Sequence, residues 1–283
     1  QIFVANGSNE GLQALMLAYG GHGRTALTFE PTYALHGHIS RITGTSVLHQ
    51  PRDADFAIDP VSATKFIEAE QPDVVFLCSP NNPTGLAEPP DLIRAVVAAA
   101  PGIVVVDEAY GQFAEFSAAT LLAENIPLVV ARTFSKTWAM AAARLGYLIA
   151  PSWLVAELEK VILPYHLDAL SQVAGQIALR FDAEMHERVA LLTSERERIS
   201  AAIAGLGCEV WPSEANFVLF RPGEADSDAI WQSLVDQSVL VRNCSSWPSL
   251  DGCLRVTVGT AQENDRFLEA LDTALSTQGG GRG

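Results

Sequence analysis

No two of the four cysteines in this 283-residue chain stand in a C-x-x-C pair. Cys78, Cys208, Cys244 and Cys253 are scattered, and none joins a histidine at the spacing of a zinc site. Isolated thiols fit a reducing compartment, so the expected location is the cytoplasm. Long apolar runs are also missing: the best candidate, Val96 to Val106, is broken by Pro101 and Gly102, which excludes a membrane helix. No signal peptide and no internal repeat is visible. Basic residues are in short supply, 18 against 33 acidic ones, for a net charge of −15 and a pI near 4.7. That balance argues against nucleic acid and anionic membranes as partners. It leaves room for an anionic small molecule, since a few arginines can make a positive site on an acidic protein. An initiating methionine is absent too. The opening "QIFVANGSNEG" reads as a buried strand, whereas the first residues of a domain are usually polar and loose. A further segment ahead of Gln1 is therefore expected.

What the chain does have is apolar content of 48% and a mean hydropathy of +0.17, enough for a substantial core. Short β-branched runs alternate with helical patterns. Strands are expected at Ile2–Ala5, Thr25–Phe29, Ser46–His49, Asp73–Cys78, Ile103–Asp107, Leu128–Arg132 and Leu145–Ile149. Helices are expected at Ser8–Tyr19, Tyr33–Arg41, Val61–Glu70 and Pro90–Ala99. The alternation predicts an α/β fold with a mainly parallel seven-stranded sheet. "DVVFLC" and "GIVVVD" are continuously apolar, as strands covered on both faces should be. Beyond Ala150 come a helix, a break at Pro164, a second helix and a long amphipathic helix ended by Gly205 or Gly207. Strands at Cys208–Trp211, Asn216–Arg221, Val239–Arg242 and Cys253–Val258 follow, with helices at Asp226–Asp236 and Ala261–Leu275. The expected organisation is a large domain over 1–175, a smaller α+β domain over 176–275, and a flexible tail over 276–283, "STQGGGRG" being its end.

Ligands of doubly wound sheets sit at the carboxyl ends of the strands, so the chemistry is expected in the strand-end loops. "NGSNEG" offers Gly7 for a tight turn and Ser8 or Asn9 as a cap, exposing N–H groups of a helix start to an anion. "EPTY" brings Tyr33, able to stack on a flat ring. "SPNNPTG" brings two amides, Asn81 and Asn82, able to donate to a ligand oxygen. "DEAY" ends a buried strand on Asp107, costly unless paired, with Tyr110 three residues on. "RTFSKTWAMAAARLG" carries Ser135, Lys136 and, two helical turns later, Arg144. A hydroxyl and a guanidinium suit a phosphate. An amine in a partly desolvated pocket has a lowered pKa and forms a Schiff base with an aldehyde. Each piece alone has a bland reading as a cap, a packing aromatic, a turn or a solvated charge. Together they describe one ligand with a phosphate (Ser8, Asn9, Glu10, Ser135, Arg144), a flat ring (Tyr33), a protonated ring nitrogen (Asp107), a ring hydroxyl (Asn82, Tyr110) and an aldehyde (Lys136). That ligand is pyridoxal 5′-phosphate.

"SPNNPTG", "DEAY", "TFSK" with an arginine eight residues on, and "LRVTVGT" together resemble the fold-type I aminotransferases over essentially the whole chain. "NGSNEGLQAL", "LPYHLDALSQ", "SEANFVLF" and "VGTAQENDRFLEAL" resemble in particular the histidinol-phosphate subfamily. The resemblance implies Lys136, Asp107 and Tyr110 as catalytic groups. It implies Ser8, the backbone of Asn9 and Glu10, Tyr33, Asn82, Ser135 and Arg144 as further cofactor contacts. Arg255, Arg242 and Asn82 would bind substrate, the arginines through its anionic groups. It also implies a small-molecule amino donor, a keto-acid acceptor, and a homodimer with shared active sites. The family's N-terminal arm, and a tyrosine there that reaches the neighbouring cofactor phosphate, find no match. "NCSSWPSLDGC", between the two arginines, has no assigned role. An aromatic amino acid aminotransferase, a related phosphate-substrate decarboxylase, and a non-catalytic cofactor-binding protein or inert fragment stay open beside the first reading.

Overall fold

The computed structural model describes residues 1–223 and 225–279. Seven strands form one sheet: β1 (Ile2–Ala5), β2 (Thr25–Glu30), β3 (Ser46–Pro51), β4 (Val74–Cys78), β5 (Ile103–Asp107), β6 (Leu128–Thr133) and β7 (Gly146–Ile149). Their order is β1-β7-β6-β5-β4-β2-β3. Pairs β2/β3, β2/β4, β4/β5 and β5/β6 are parallel, while β7 is antiparallel to both β6 and β1. The sheet is thus mainly parallel with one reversed strand, and the carboxyl ends of β1, β2, β4, β5 and β6 share one edge.

Every residue of β4 and β5 is buried. Alternate side chains feed two cores, as the two-residue period of a strand requires. Phe76, Val105 and Val129 join a cluster with Leu12, Leu15 and Leu154, from α1 (Gly7–Tyr19) and α5 (Ser152–Val161). Val75, Leu77, Val104 and Val106 join the other, with Ile67 and Ile93 from α3 (Pro60–Glu70) and α4 (Pro90–Ala99). Helix α2 (Leu35–Ile42) adds Ile39 to the first.

The rest of the chain builds α6 (Ala169–Ala178), α7 (Asp182–Gly205), α8 (Ser227–Asp236) and α9 (Ala261–Gly279) around an antiparallel sheet. Its strands are β8 (Glu209–Val210), β9 (Phe217–Arg221), β10 (Arg242–Asn243) and β11 (Leu254–Thr257), in the order β10-β11-β9-β8. One face, with Val218, Phe220, Leu254 and Val256, packs on Ile203, Ile230, Leu234 and Leu271 of the helices. The opposite face carries Phe217, Leu219, Cys253 and Arg255, turned towards the large sheet.

Four expectations need correction. The strand foreseen from Val239 shrinks to Arg242–Asn243, because the N–H of Val239 closes the end of α8 on Leu234 O at 2.9 Å. Helix α1 is capped at Asn6 with no side-chain cap hydrogen bond, so neither Ser8 nor Asn9 caps it. Instead Glu10 accepts from the backbone N–H of Asn6 at 2.7 Å. The stretch from Lys136 to Arg144 is not a helix: it is a run of turns with one short 3-10 segment, Ala141–Ala143, and Ala139 and Arg144 are left-handed at φ 54° and 49°. Finally, α9 continues through residues 276–279 of the expected tail; residues 280–283 lie outside the described residues.

Candidate functional site

At the shared strand edge lies a cavity of about 300 Å³. From the first turn of α1 come Ser8 and Asn9; after β2, Tyr33; after β4, Asn82; at and after the end of β5, Asp107 and Tyr110; after β6, Ser135 and Lys136; before β7, Arg144; and from β11, Arg255. The topology explains the gathering. Parallel strands deliver their following loops to one edge, and the reversal at β7 brings Arg144 back beside the start of α1.

Lys136 opens to the cavity, yet protein surrounds its amine, whose Nζ lies 5.0 Å from the centre of the Tyr110 ring. That desolvation pulls the amine below its ordinary value; the nearby Arg255 adds to the effect and Asp107 opposes it. Burial pushes the Tyr110 phenol up to about 12, against the pull of Arg255. Tyr33 is raised by burial and next by the charge of Asp107. Cys78, at the cavity floor, is held far above the thiol range by burial and then by Asp107, so it is no nucleophile.

Asp107 is buried, and each of its oxygens accepts one hydrogen bond from the protein. Its Oδ1 accepts from the N–H of Ala109 at 3.0 Å, and its Oδ2 from His36 Nε2 at 2.9 Å. His36 is buried, stacks on Phe76 with ring centres 4.8 Å apart, and meets Tyr33 edge-on at 5.5 Å. At the substrate side, Arg255 donates from Nη1 to Asn82 Oδ1 and lies 4.6 Å above the Phe217 ring. Its Nε is buried with no hydrogen-bond partner among the described residues.

The other end of the cavity suits an anion. Gly7, at φ 77°, begins α1 and exposes the helix's positive end. Arg144 lies directly over it, so a Cβ on Gly7 would strike the guanidinium. Gly146 presses on the backbone of Gly7 and Ser8 with equal closeness. Thr133 Oγ1 donates to Ser135 Oγ at 3.0 Å and accepts the Ser135 N–H at 3.1 Å, aligning that hydroxyl. A flat, phosphorylated aldehyde fits this arrangement: anion donors at one end, an amine with lowered proton affinity in between, and a carboxylate at the ring-nitrogen position.

Not every expected residue lines the cavity. Arg242 is exposed on β10, where it is the register partner of Arg255. The Glu10 side chain is taken by Asn6. Asn81, unlike Asn82, is a buried strut: it accepts from Thr32 Oγ1 at 2.8 Å and donates to Pro31 O at 3.0 Å. Sequence reasoning missed His36, Thr133 and Phe217. Only His36 left a signal, lying three residues after Tyr33 and so on the same side of a helical turn.

The family model for aminotransferase class I and II matches residues 1–271. The histidinol-phosphate aminotransferase of Corynebacterium diphtheriae is 46% identical over 272 residues, 95% of this chain and 73% of that protein. The enzyme of that name from Mycobacterium marinum is 47% identical over 279 residues, 98% of this chain and 72% of that protein. Among solved structures, histidinol-phosphate aminotransferase from Sinorhizobium meliloti in complex with pyridoxal-5′-phosphate has a TM-score of 0.88 at 23% identity, covering 98% of this chain and 77% of that one.

Proposed function

The chain belongs to the class I and II aminotransferases, and from that premise we propose that it is a pyridoxal phosphate enzyme exchanging an amino group between histidinol phosphate and 2-oxoglutarate. The names of the relatives at 46% and 47% identity support the substrate. The geometry that carries the reading is one amine, Lys136, set between a buried carboxylate, Asp107, and the guanidinium of Arg144 around one cavity. Bound there, pyridoxal 5′-phosphate supplies an aldehyde for amine exchange and a protonated ring that draws electrons from the bond being broken. Lys136 is the amine that would hold the aldehyde, and its lowered proton affinity suits it to carry the proton at the substrate Cα. Asp107 keeps a proton on the ring nitrogen, and His36 Nε2–H fixes that carboxylate. Tyr110 and Asn82 hold the ring hydroxyl, Tyr33 covers the ring, and Ser8, Asn9, Ser135 and Arg144 hold the phosphate with the backbone of Glu10. Arg255 receives an anionic group of the substrate, its unpartnered Nε supplying a further donor. Arg242, on the neighbouring strand, is the second guanidinium for the substrate phosphate, a pair of arginines suiting a dianion.

The same reading divides the chain near residue 175 into a cofactor-binding unit and a smaller lid-like unit, each with its own sheet and core. It makes the protein a homodimer, supported by an apolar face of Ile2, Val4, Leu170, Val173, Ile177 and Leu179, all exposed. A cytoplasmic location is supported by four buried, unpaired thiols. No helix among the described residues is long and apolar enough to cross a membrane. The first test is spectroscopic. Purified protein given the cofactor is expected to show a visible absorption band that Lys136→Ala abolishes; a colourless protein would end the reading. The second is a substrate panel. If phenylpyruvate with glutamate exceeds histidinol phosphate with 2-oxoglutarate in kcat/KM, the aromatic alternative replaces it.

A further inference from the structure

The turn between β3 and α3 holds a bulky residue in the left-handed region, Phe56 at φ 62°. Such a conformation persists only where the surroundings over-determine it, and here they do. Asp53 Oδ1 accepts the N–H groups of Asp55 and Ala57 at 2.9 and 2.8 Å. Arg52 Nη1 donates to Phe56 O at 3.0 Å and its Nε to Phe29 O at 3.1 Å. The remaining arm of Arg52 pairs with Glu88 at 2.7 Å, both side chains being 1% exposed. A fully buried ion pair is a costly way to pin a turn, and nothing in the chemistry of the cavity uses it.

What the turn presents is the Phe56 ring. The ring is buried, not in its own sheet's cores but in a cluster with Trp211, Leu219, Cys244, Leu250 and Cys253. It lies 5.1 Å from the Trp211 ring. Leu219, in the cluster with Phe56, is the register partner of Arg255 across β9 and β11, so the Phe56 ring packs as a wedge on the face of the small sheet that carries the guanidinium. Glu88 closes the loop that begins at Ser79 and carries Asn82, the residue that accepts from Arg255. Arg52 therefore ties together the two supports of Arg255, the ring beneath its sheet and the loop in front of it.

We propose that Phe56, locked by Arg52 and Glu88, is a positioning residue that sets where Arg255 meets the anionic group of a substrate. This rests on the substrate-binding role given to Arg255 above. Phe56→Gly tests it, because glycine accepts the left-handed backbone and removes only the ring. The KM for histidinol phosphate is expected to rise about tenfold with kcat within about threefold, the signature of lost ground-state and transition-state binding alike. Affinity for the cofactor stays within about twofold, and in an Arg255→Ala background the Phe56 change adds less than about twofold, since coupled residues are not additive. Glu88→Gln, which keeps the volume of the pair, is expected to give the same pattern at smaller amplitude and serves if Phe56→Gly does not fold. A fall in melting temperature with KM unchanged, or full additivity with Arg255→Ala, overturns the proposal. If the wild type is inactive with histidinol phosphate, the functional reading fails instead. The wedge is then judged by calorimetric affinity of the holoenzyme for succinate, an unreactive dicarboxylate: weakening by about tenfold in Phe56→Gly supports it and no change refutes it.

Discussion

Lys136 is one of three lysines in the chain, with Lys65 and Lys160, and its amine is held below its ordinary value of 10.5 by surrounding protein. Between its folded value and 10.5 the unfolded chain binds more protons than the folded one, so stability climbs with pH through that window. Below the folded value the penalty for the buried charge is complete. In protein freed of cofactor, Lys136→Met is therefore expected to raise the melting temperature most near neutral pH, with the gain shrinking as pH approaches 10.5. A gain equal at every pH would contradict the burial argument. His36 offers a second test. His36→Phe keeps the stack on Phe76 and removes the one side-chain donor to Asp107 among the described residues. Hydrogen bonds to charged groups are worth about 1.5–3 kcal/mol, so cofactor affinity should fall roughly 10- to 100-fold, measured by titrating the visible band. Of the residues around the cavity, those that had to end a strand or follow a proline were legible in the sequence: Asp107, Lys136 and Asn82 each sit where a buried run stops. His36 was not, because its carboxylate partner is 71 residues away and only the topology brings β5 beside α2.

At the scale of elements, the contact that shapes the phosphate end is between the start of α1 and the first residue of β7. A Cβ on Gly146 would meet the backbone of Ser8 and Gly7, which cannot yield as a side chain can. Gly146→Ala is expected to cost about 1–3 kcal/mol, the usual range for overpacking, read by chemical denaturation, and to weaken the cofactor as Ser8 moves from Arg144. The strands were legible because β4 and β5 are apolar at every position. The course of the chain from Lys136 to Arg144 was not. "TWAMAAAR" is rich in good helix formers, but the closure from β6 to β7 demands left-handed residues at Ala139 and Arg144, and tertiary constraint overrides propensity. Arg242 shows the converse. The β-branched run before it reads as a strand, but the capping of α8 takes its first backbone donor.

For the whole molecule, the exposed face on and around α6 makes the sharpest prediction. Leu170, Val173 and Ile177 are exposed at the spacing of one helical face of α6, and an apolar face left open in this way suits an interaction surface. Val173→Glu is expected to convert a dimer into a monomer by light scattering, with the melting temperature made independent of concentration. A wild type that is monomeric at all concentrations would remove the homodimer from the reading. The reversed strand β7 has a different kind of consequence. Among the described residues it is the sole neighbour of β1 in the sheet, and Gly146 comes 141 positions after Ala5. A ribosome adding about 5–20 residues per second leaves β1 without its partner for roughly 7–30 s. Helix α1 begins at the end of β1, so the phosphate end of the cavity stays open until β7 has been made. The nascent chain must keep the apolar "IFVA" from other strand edges for that whole interval.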